Sequence, residues 1–149
     1  MKPTPPGWPR ISVAVHYEDA AEAIDWLCRA FEFEVKLKIE GEGGRVEHSE
    51  LLYGEGLIMV GDLKALPSRS PYRAPRQVDG ANTQNIMVYV DDVDAHCERA
   101  RRAGAVIISE PTDVDYGEAY WADRGYECED IGGHRWWFYQ RLRSASPKG

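Results

Sequence analysis

The chain has 149 residues, 43% of them hydrophobic, enough for one domain with a real core, so neither a disulfide framework nor a disordered chain is required. Its apolar runs are only a few residues long, far below the roughly 20 that a membrane helix needs, which excludes a helical membrane protein. A net charge of −7 disfavours nucleic acid and anionic membrane as partners and leans toward cationic or neutral small molecules.

Residues 1–10 are proline-rich and lack an apolar core of the kind an export signal carries, so they read as a stiff tail. Ile11, Val13, Val15 and Tyr17 then alternate as one face of a strand. Glu18 and Asp19 open a helix over residues 20–31, with Ala23, Ile24, Leu27, Ala30 and Phe31 as its apolar stripe and Trp26 beside it. Phe33, Val35, Leu37 and Ile39 mark a second strand, residues 45–53 a third and residues 57–60 a fourth, separated by glycine turns. Residues 64–82 change character, with three prolines and Arg69, Arg73 and Arg76, and read as a linker or lid.

The first pattern then recurs. Residues 85–90 form a strand, Asp91 and Asp92 a helix start, residues 93–103 a helix, and Gly104 its end. Placing Asp92 over Asp19, an offset of 92 − 19 = 73, sets Ile86 on Val13, Val88 on Val15 and Tyr89 on His16. Residues 105–109, 119–122 and 135–139 are read as the remaining strands, with 113–117 and 124–133 as irregular connections. The last strand follows the Gly132-Gly133 turn and carries Trp136 and Trp137, which period-two alternation sends to opposite faces. Three cysteines, Cys28, Cys97 and Cys128, without C-x-x-C spacing argue against a zinc knuckle and for a reducing, cytoplasmic location.

This doubled unit, with Asp91-Asp92-Val93-Asp94-Ala95, the run from Gly44 to Leu51 and the closing Asp130-Ile131-Gly132-Gly133-His134-Arg135-Trp136, resembles the vicinal oxygen chelate superfamily. That superfamily groups glyoxalases, bleomycin resistance proteins and extradiol dioxygenases, and the likeness is greatest to a bacterial glyoxalase-like subgroup with no assigned reaction. The resemblance covers residues 11–140 and implies an α+β fold: two βαβββ modules in tandem, their curved mixed sheets around an open cleft. The implied organisation is a tail over 1–10, modules at 11–63 and 83–142 joined by the linker 64–82, and a tail over 143–149. Metal-dependent members hold a divalent ion on the first and last strand of each module. Transferred to this chain, those places are Ser12, Asn85, Trp137 and an aliphatic residue within 57–60. Such a set lacks the imidazole, carboxylate or thiolate donors a catalytic ion needs, so no metal and no cofactor are expected.

With Trp137 facing the cleft, alternation brings Arg135 and Tyr139 beside it and puts Trp136 and Phe138 under the helices. The same rule points Ser12, His16, Asn85 and Tyr89 inward, and His48 and Glu50 share a face of the third strand, Glu50 being free to pair with Arg135. The expected function is binding or sequestering a small aromatic or cationic molecule, in a homodimer, with no catalytic residue identified. The alternative is a glyoxalase-type lyase, isomerase or dioxygenase whose metal sits on displaced ligands, His16, His48 and Glu50.

Overall fold

The computed structural model describes residues 1–147, so the last two positions of the expected C-terminal tail lie outside the described residues. The first module runs β1 (Val13–Tyr17), α1 (Ala20–Phe31), β2 (Glu34–Glu40), β3 (Val46–Tyr53) and β4 (Gly56–Asp62). The second repeats the order as β5 (Ile86–Tyr89), α2 (Val93–Arg102), β6 (Val106–Asp115), β7 (Ala122–Glu129) and β8 (Arg135–Arg143). The two sheets have the same topology, β1-β4-β3-β2 and β5-β8-β7-β6, with first and last strands parallel and the other pairs antiparallel. The fold is α+β and doubled, as the resemblance implied.

The two helix starts are near copies. Asp19 and Asp92 have φ/ψ of −133/95 and −135/95, and their carboxylates accept from Glu22 N and Ala95 N at 3.1 and 3.0 Å. A short carboxylate there satisfies an orphan backbone N–H and sits at the positive end of the helix dipole. The helices pack on each other between the sheets, where Trp26 Nε1 donates to Ala103 O at 2.7 Å and Arg99 Nε donates to Arg29 O at 2.8 Å.

One core serves both modules. Phe31, at the end of α1, lies 5.2 Å from Trp136 and 4.7 Å from Phe138, ring centre to ring centre, and Phe33 lies 5.7 Å from Trp136. His96 on α2 crosses the same seam, its Nε2–H donating to Phe31 O at 3.2 Å while Nδ1 accepts from Tyr126 Oη at 2.7 Å. Each sheet therefore has an inner face on this core and an outer face turned away from it.

The strand expectations for the second module need correction. β6 reaches Asp115, well past the expected end at 109, and the strand expected over 119–122 is instead a turn leading into β7. β7 occupies much of what reads as irregular connection, because its outer positions are charged and only Tyr126 and Cys128 mark its inner face. The linker is packed rather than free, with Ala74 and Pro75 buried and Gly133 in contact range of Pro75 and Arg76.

Candidate functional site

The outer face of the second sheet gathers aromatic and ionic groups. β8 presents Arg135, Trp137 and Tyr139, β5 presents Met87 and Tyr89, and β7 presents Asp123, Gly125, Glu127 and Glu129, with Trp137 opposite Met87 and Glu127. The Trp137 and Tyr139 rings are stacked at 5.6 Å and 10°. Gly125 makes this possible, since a Cβ there would lie 2.4 Å from Tyr139 Cδ1, so the tyrosine ring lies flat across the glycine.

Charges frame the rings. Arg135 donates to Glu127 Oε1 at 2.6 Å and Glu129 Oε1 at 3.1 Å. Asp123, 4% exposed, accepts from Arg141 Nε at 2.6 Å and Tyr89 Oη at 3.1 Å. The Arg141 guanidinium also lies 5.1 and 5.4 Å from the Tyr89 and Trp121 ring centres. Three carboxylates thus face two guanidinium groups, and the Arg135 and Arg141 pKa values are raised, mainly by their hydrogen bonds to Glu127 and Asp123. Burial raises the Tyr139 phenol, so it stays protonated and can donate.

The other predicted residues are dispersed. His48 and Glu50 lie on the outer face of the first sheet, where Glu50 takes His48 Nε2 at 2.9 Å and Lys36 Nζ at 3.3 Å. The suggested Glu50–Arg135 pair does not form, because each is satisfied on its own sheet. Burial pulls the Glu50 carboxyl upward, but hydrogen bonds from His48 and Lys36 outweigh it and leave the pKa below its ordinary value. Ser12 is spent locally, its Oγ donating to Leu57 O at 2.8 Å, and Asn85 is exposed ahead of β5.

His16 faces an open recess of about 410 Å³ between β1, the linker and the start of β8. Its ring lies across Gly61, where a Cβ would sit 2.6 Å away, and Tyr72 from the linker stacks on it at 4.4 Å and 6°. Burial, and then the neighbouring His134, lower the His16 pKa. His134 donates from Nε2 to His16 O at 2.7 Å. A larger recess of about 700 Å³ at the ends of the helices holds none of the predicted residues and is ringed by charges, such as Arg99 and Glu32, that pair with each other.

The positions that the resemblance assigns to a metal present a hydroxyl, an exposed amide, an indole and hydrocarbon, a donor set that does not fit a divalent ion. His16 is not gathered with His48 and Glu50, and among the described residues no three His, Cys, Asp or Glu side chains converge as ligands. Sequence reasoning missed Asp123, Glu127, Glu129 and Arg141, for which the strand glycine Gly125 was the available signal, and Tyr72, for which there was none.

A sequence model of the Glyoxalase/Bleomycin resistance protein/Dioxygenase superfamily matches residues 11–138. Uncharacterized protein Mb0911c of Mycobacterium bovis is 28% identical over 138 residues, covering 93% of this chain and 87% of its own length. Among solved structures, TioX from Micromonospora sp. ML1 is 29% identical, with a TM-score of 0.66 over 93% of this chain and 100% of TioX. TnmS3, an antibiotic binding protein from Streptomyces sp. CB03234, has a TM-score of 0.61 at 19% identity over 87% of this chain and 93% of its own, a likeness of fold.

Proposed function

Because the chain belongs to the Glyoxalase/Bleomycin resistance protein/Dioxygenase superfamily, we propose that it binds and holds a small aromatic or cationic molecule on the outer face of its second sheet, without a metal. The observation that carries this reading is the parallel Trp137–Tyr139 stack, partly open to solvent and bordered by Glu127, Glu129 and Asp123. Flat rings attract a planar ligand by stacking, and nearby carboxylates add attraction for a positive charge. Met87 and Tyr89 extend the surface, and Arg135 and Arg141 hold the carboxylates in place. TnmS3 is an example of antibiotic binding on this fold.

The binding unit in this reading is a homodimer in a reducing cytoplasm. Val35, Leu37 and Ile39 on the first sheet and Val106 and Val114 on the second are exposed apolar groups that a second copy would cover. No helix of the described residues is long and apolar enough to cross a membrane. Light scattering on the purified protein tests the dimer.

Binding is tested by titrating planar antibiotics, cationic ones included, while following tryptophan fluorescence. Trp137 and Trp121 are the partly open indoles near the proposed surface, whereas Trp26 and Trp136 are buried reporters of fold integrity. Saturable quenching is expected, and Trp137→Ala should weaken it about tenfold, from roughly 1–2 kcal/mol of stacking and cation–π attraction. A flat response across the panel refutes the reading.

A further inference from the structure

The proline-rich N-terminal segment is not a loose tail. Pro5-Pro6-Gly7-Trp8 forms a turn closed by Trp8 N donating to Pro5 O at 3.1 Å, with Gly7 at φ +78°, the pattern of proline followed by glycine that a type II turn requires. Arg10 donates back to Lys2 O at 2.7 Å, so the segment is folded on itself. Two contacts fasten it to the first sheet: Lys36 Nζ donates to Gly7 O at 3.0 Å and lies 5.2 Å from the Trp8 ring centre. The same ammonium reaches Glu50 at 3.3 Å.

Chain geometry says where the segment runs. Ser12 is bonded beside β4 next to the β1 edge, and Lys36 is on β2, the opposite edge of the sheet. Three inter-strand spacings of about 4.8 Å make roughly 14 Å, close to the roughly 17 Å that the five residues from Gly7 to Ser12 can span when extended. Gly7 and Ser12 are thus fastened toward opposite edges of the sheet, with a bend at Arg10 between them. Leu57 registers the crossing: it alternates with the inner-facing Ile58, yet it is only 4% exposed and is not part of the central hydrophobic cluster. Glu50, also on the outer face, is 5% exposed, whereas Leu37 and Ile39, cross-strand partners of Glu50 and His48, remain open.

We propose that residues 2–12 form an autoinhibitory strap, in which Trp8 occupies the first-sheet face as an internal aromatic ligand of Lys36 and must leave before an external aromatic molecule can use that face. This rests on the reading that the outer face of the second sheet binds planar molecules, and it adds a second, gated surface on the first sheet, over His48, Glu50 and Leu57. Release takes the ring and the Gly7 carbonyl from the Lys36 ammonium and leaves it with Glu50 alone above an aliphatic floor, so the molecule admitted is a planar aromatic carrying an anionic group, unlike the ligand of the acid-rich second sheet.

The probe is 1-anilinonaphthalene-8-sulfonate, an aromatic sulfonate, titrated into full-length wild type, Trp8→Ala, Trp8→Phe and Trp137→Ala. Trp8 is half-buried, so unfolding midpoints are measured beside the titrations, and Trp8→Phe separates loss of the ring from loss of fold. Trp8→Ala should bind the dye at least about fivefold more tightly than wild type, the loss of one cation–π contact and its cover, while Trp8→Phe, which keeps a ring over Lys36, stays near wild type. Equal dye affinity in wild type and Trp8→Ala, or no dye bound by either, overturns the strap. Loss of dye binding in Trp137→Ala with no effect of Trp8→Ala leaves the second-sheet reading standing and removes the gate. Tightening in Trp8→Ala with no effect of Trp137→Ala supports the gate, and the second-sheet platform is then judged by the cationic antibiotics of its own titration.

Discussion

Asp130 joins the two modules through one buried carboxylate, and removing a single donor from it should be measurable. The residue is 2% exposed and accepts four hydrogen bonds: Tyr17 Oη at 2.5 Å, Trp136 Nε1 at 2.9 Å, Gly132 N at 2.8 Å and His134 N at 2.9 Å. Only the tyrosine comes from the first module, 113 residues away in sequence. Tyr17→Phe deletes that one donor and keeps the ring against Gly132, whose missing Cβ would otherwise sit 2.6 Å from it. A hydrogen bond to a charged group contributes about 1.5–3 kcal/mol, and about 1 kcal/mol moves the melting temperature of a 150-residue domain by some 2–4 °C. The expected loss is thus on the order of 3–12 °C. Asp130→Asn should cost more, about 2–6 kcal/mol, because one amide oxygen serves two donors and orphans two others at about 1–3 kcal/mol each. Urea unfolding followed by tryptophan emission, with hydrogen exchange to localise the opening between β1 and the β7–β8 turn, is the assay. A Tyr17→Phe variant within about 0.5 kcal/mol of wild type, the range of ordinary surface substitutions, refutes the view that this carboxylate docks the modules.

Three further outcomes follow from the same packing. His96 is neutral in the fold and burial lowers its pKa from 6.5, so below that value the unfolded chain takes up a proton that the folded chain refuses. Stability should therefore be full above about pH 6.5 and fall as the pH drops toward the folded value, His16 contributing in the same direction. Urea midpoints measured across this range in wild type and His96→Gln, with a shallower slope in the variant, check it. Gly125→Ala should expel the Tyr139 ring from its place beside Trp137 and match Tyr139→Ala in lost ligand binding, at about 1–3 kcal/mol of stability for overpacking. Burial pushes the Cys97 thiol up to about 11 and Cys128 higher, and the half-buried Cys28 is raised too, so a thiol reagent near neutral pH should find no fast-reacting cysteine until the protein is denatured.

What the sequence disclosed and what it hid divide along the two faces of each sheet. The inner face obeys burial, and burial leaves a periodic trace: the offset of 73 residues aligned Val13 with Ile86 and Asp19 with Asp92, and the folded chain uses each pair alike. Trp136 and Phe138 were separable from Trp137 and Tyr139 because alternation on β8 is strict, and the first two are fully buried. The outer face has no such rule. β7 carries Asp123, Glu127 and Glu129 outward, and a charged run broken by glycine reads as loop until its register against Arg141, Trp137 and Arg135 is known. Glu50 shows the same difficulty from the other side. Its sequence neighbourhood allowed a partner on either sheet, and the choice of Lys36 followed from a bulge in β2 between Val35 and Leu37 that no residue type announces.

The N-terminal segment sharpens this distinction. Its prolines read as a stiff tail, and stiffness alone does not reveal that a chain is fastened. Fastening needed Lys36 to reach both Gly7 and the Trp8 ring, 29 and 28 positions away in sequence, while holding Glu50, three contacts made by one flexible side chain. The cover it provides is visible only as an outer-face leucine, Leu57, that is buried outside the core. A face bearing polar anchors and an aliphatic floor, already occupied by an indole from its own chain, resembles a ligand surface at rest more than an unused side of a sheet. On that view the proline-rich segment belongs to the binding apparatus, and the affinity measured for any ligand of the first sheet will contain the free energy needed to lift Trp8 from Lys36.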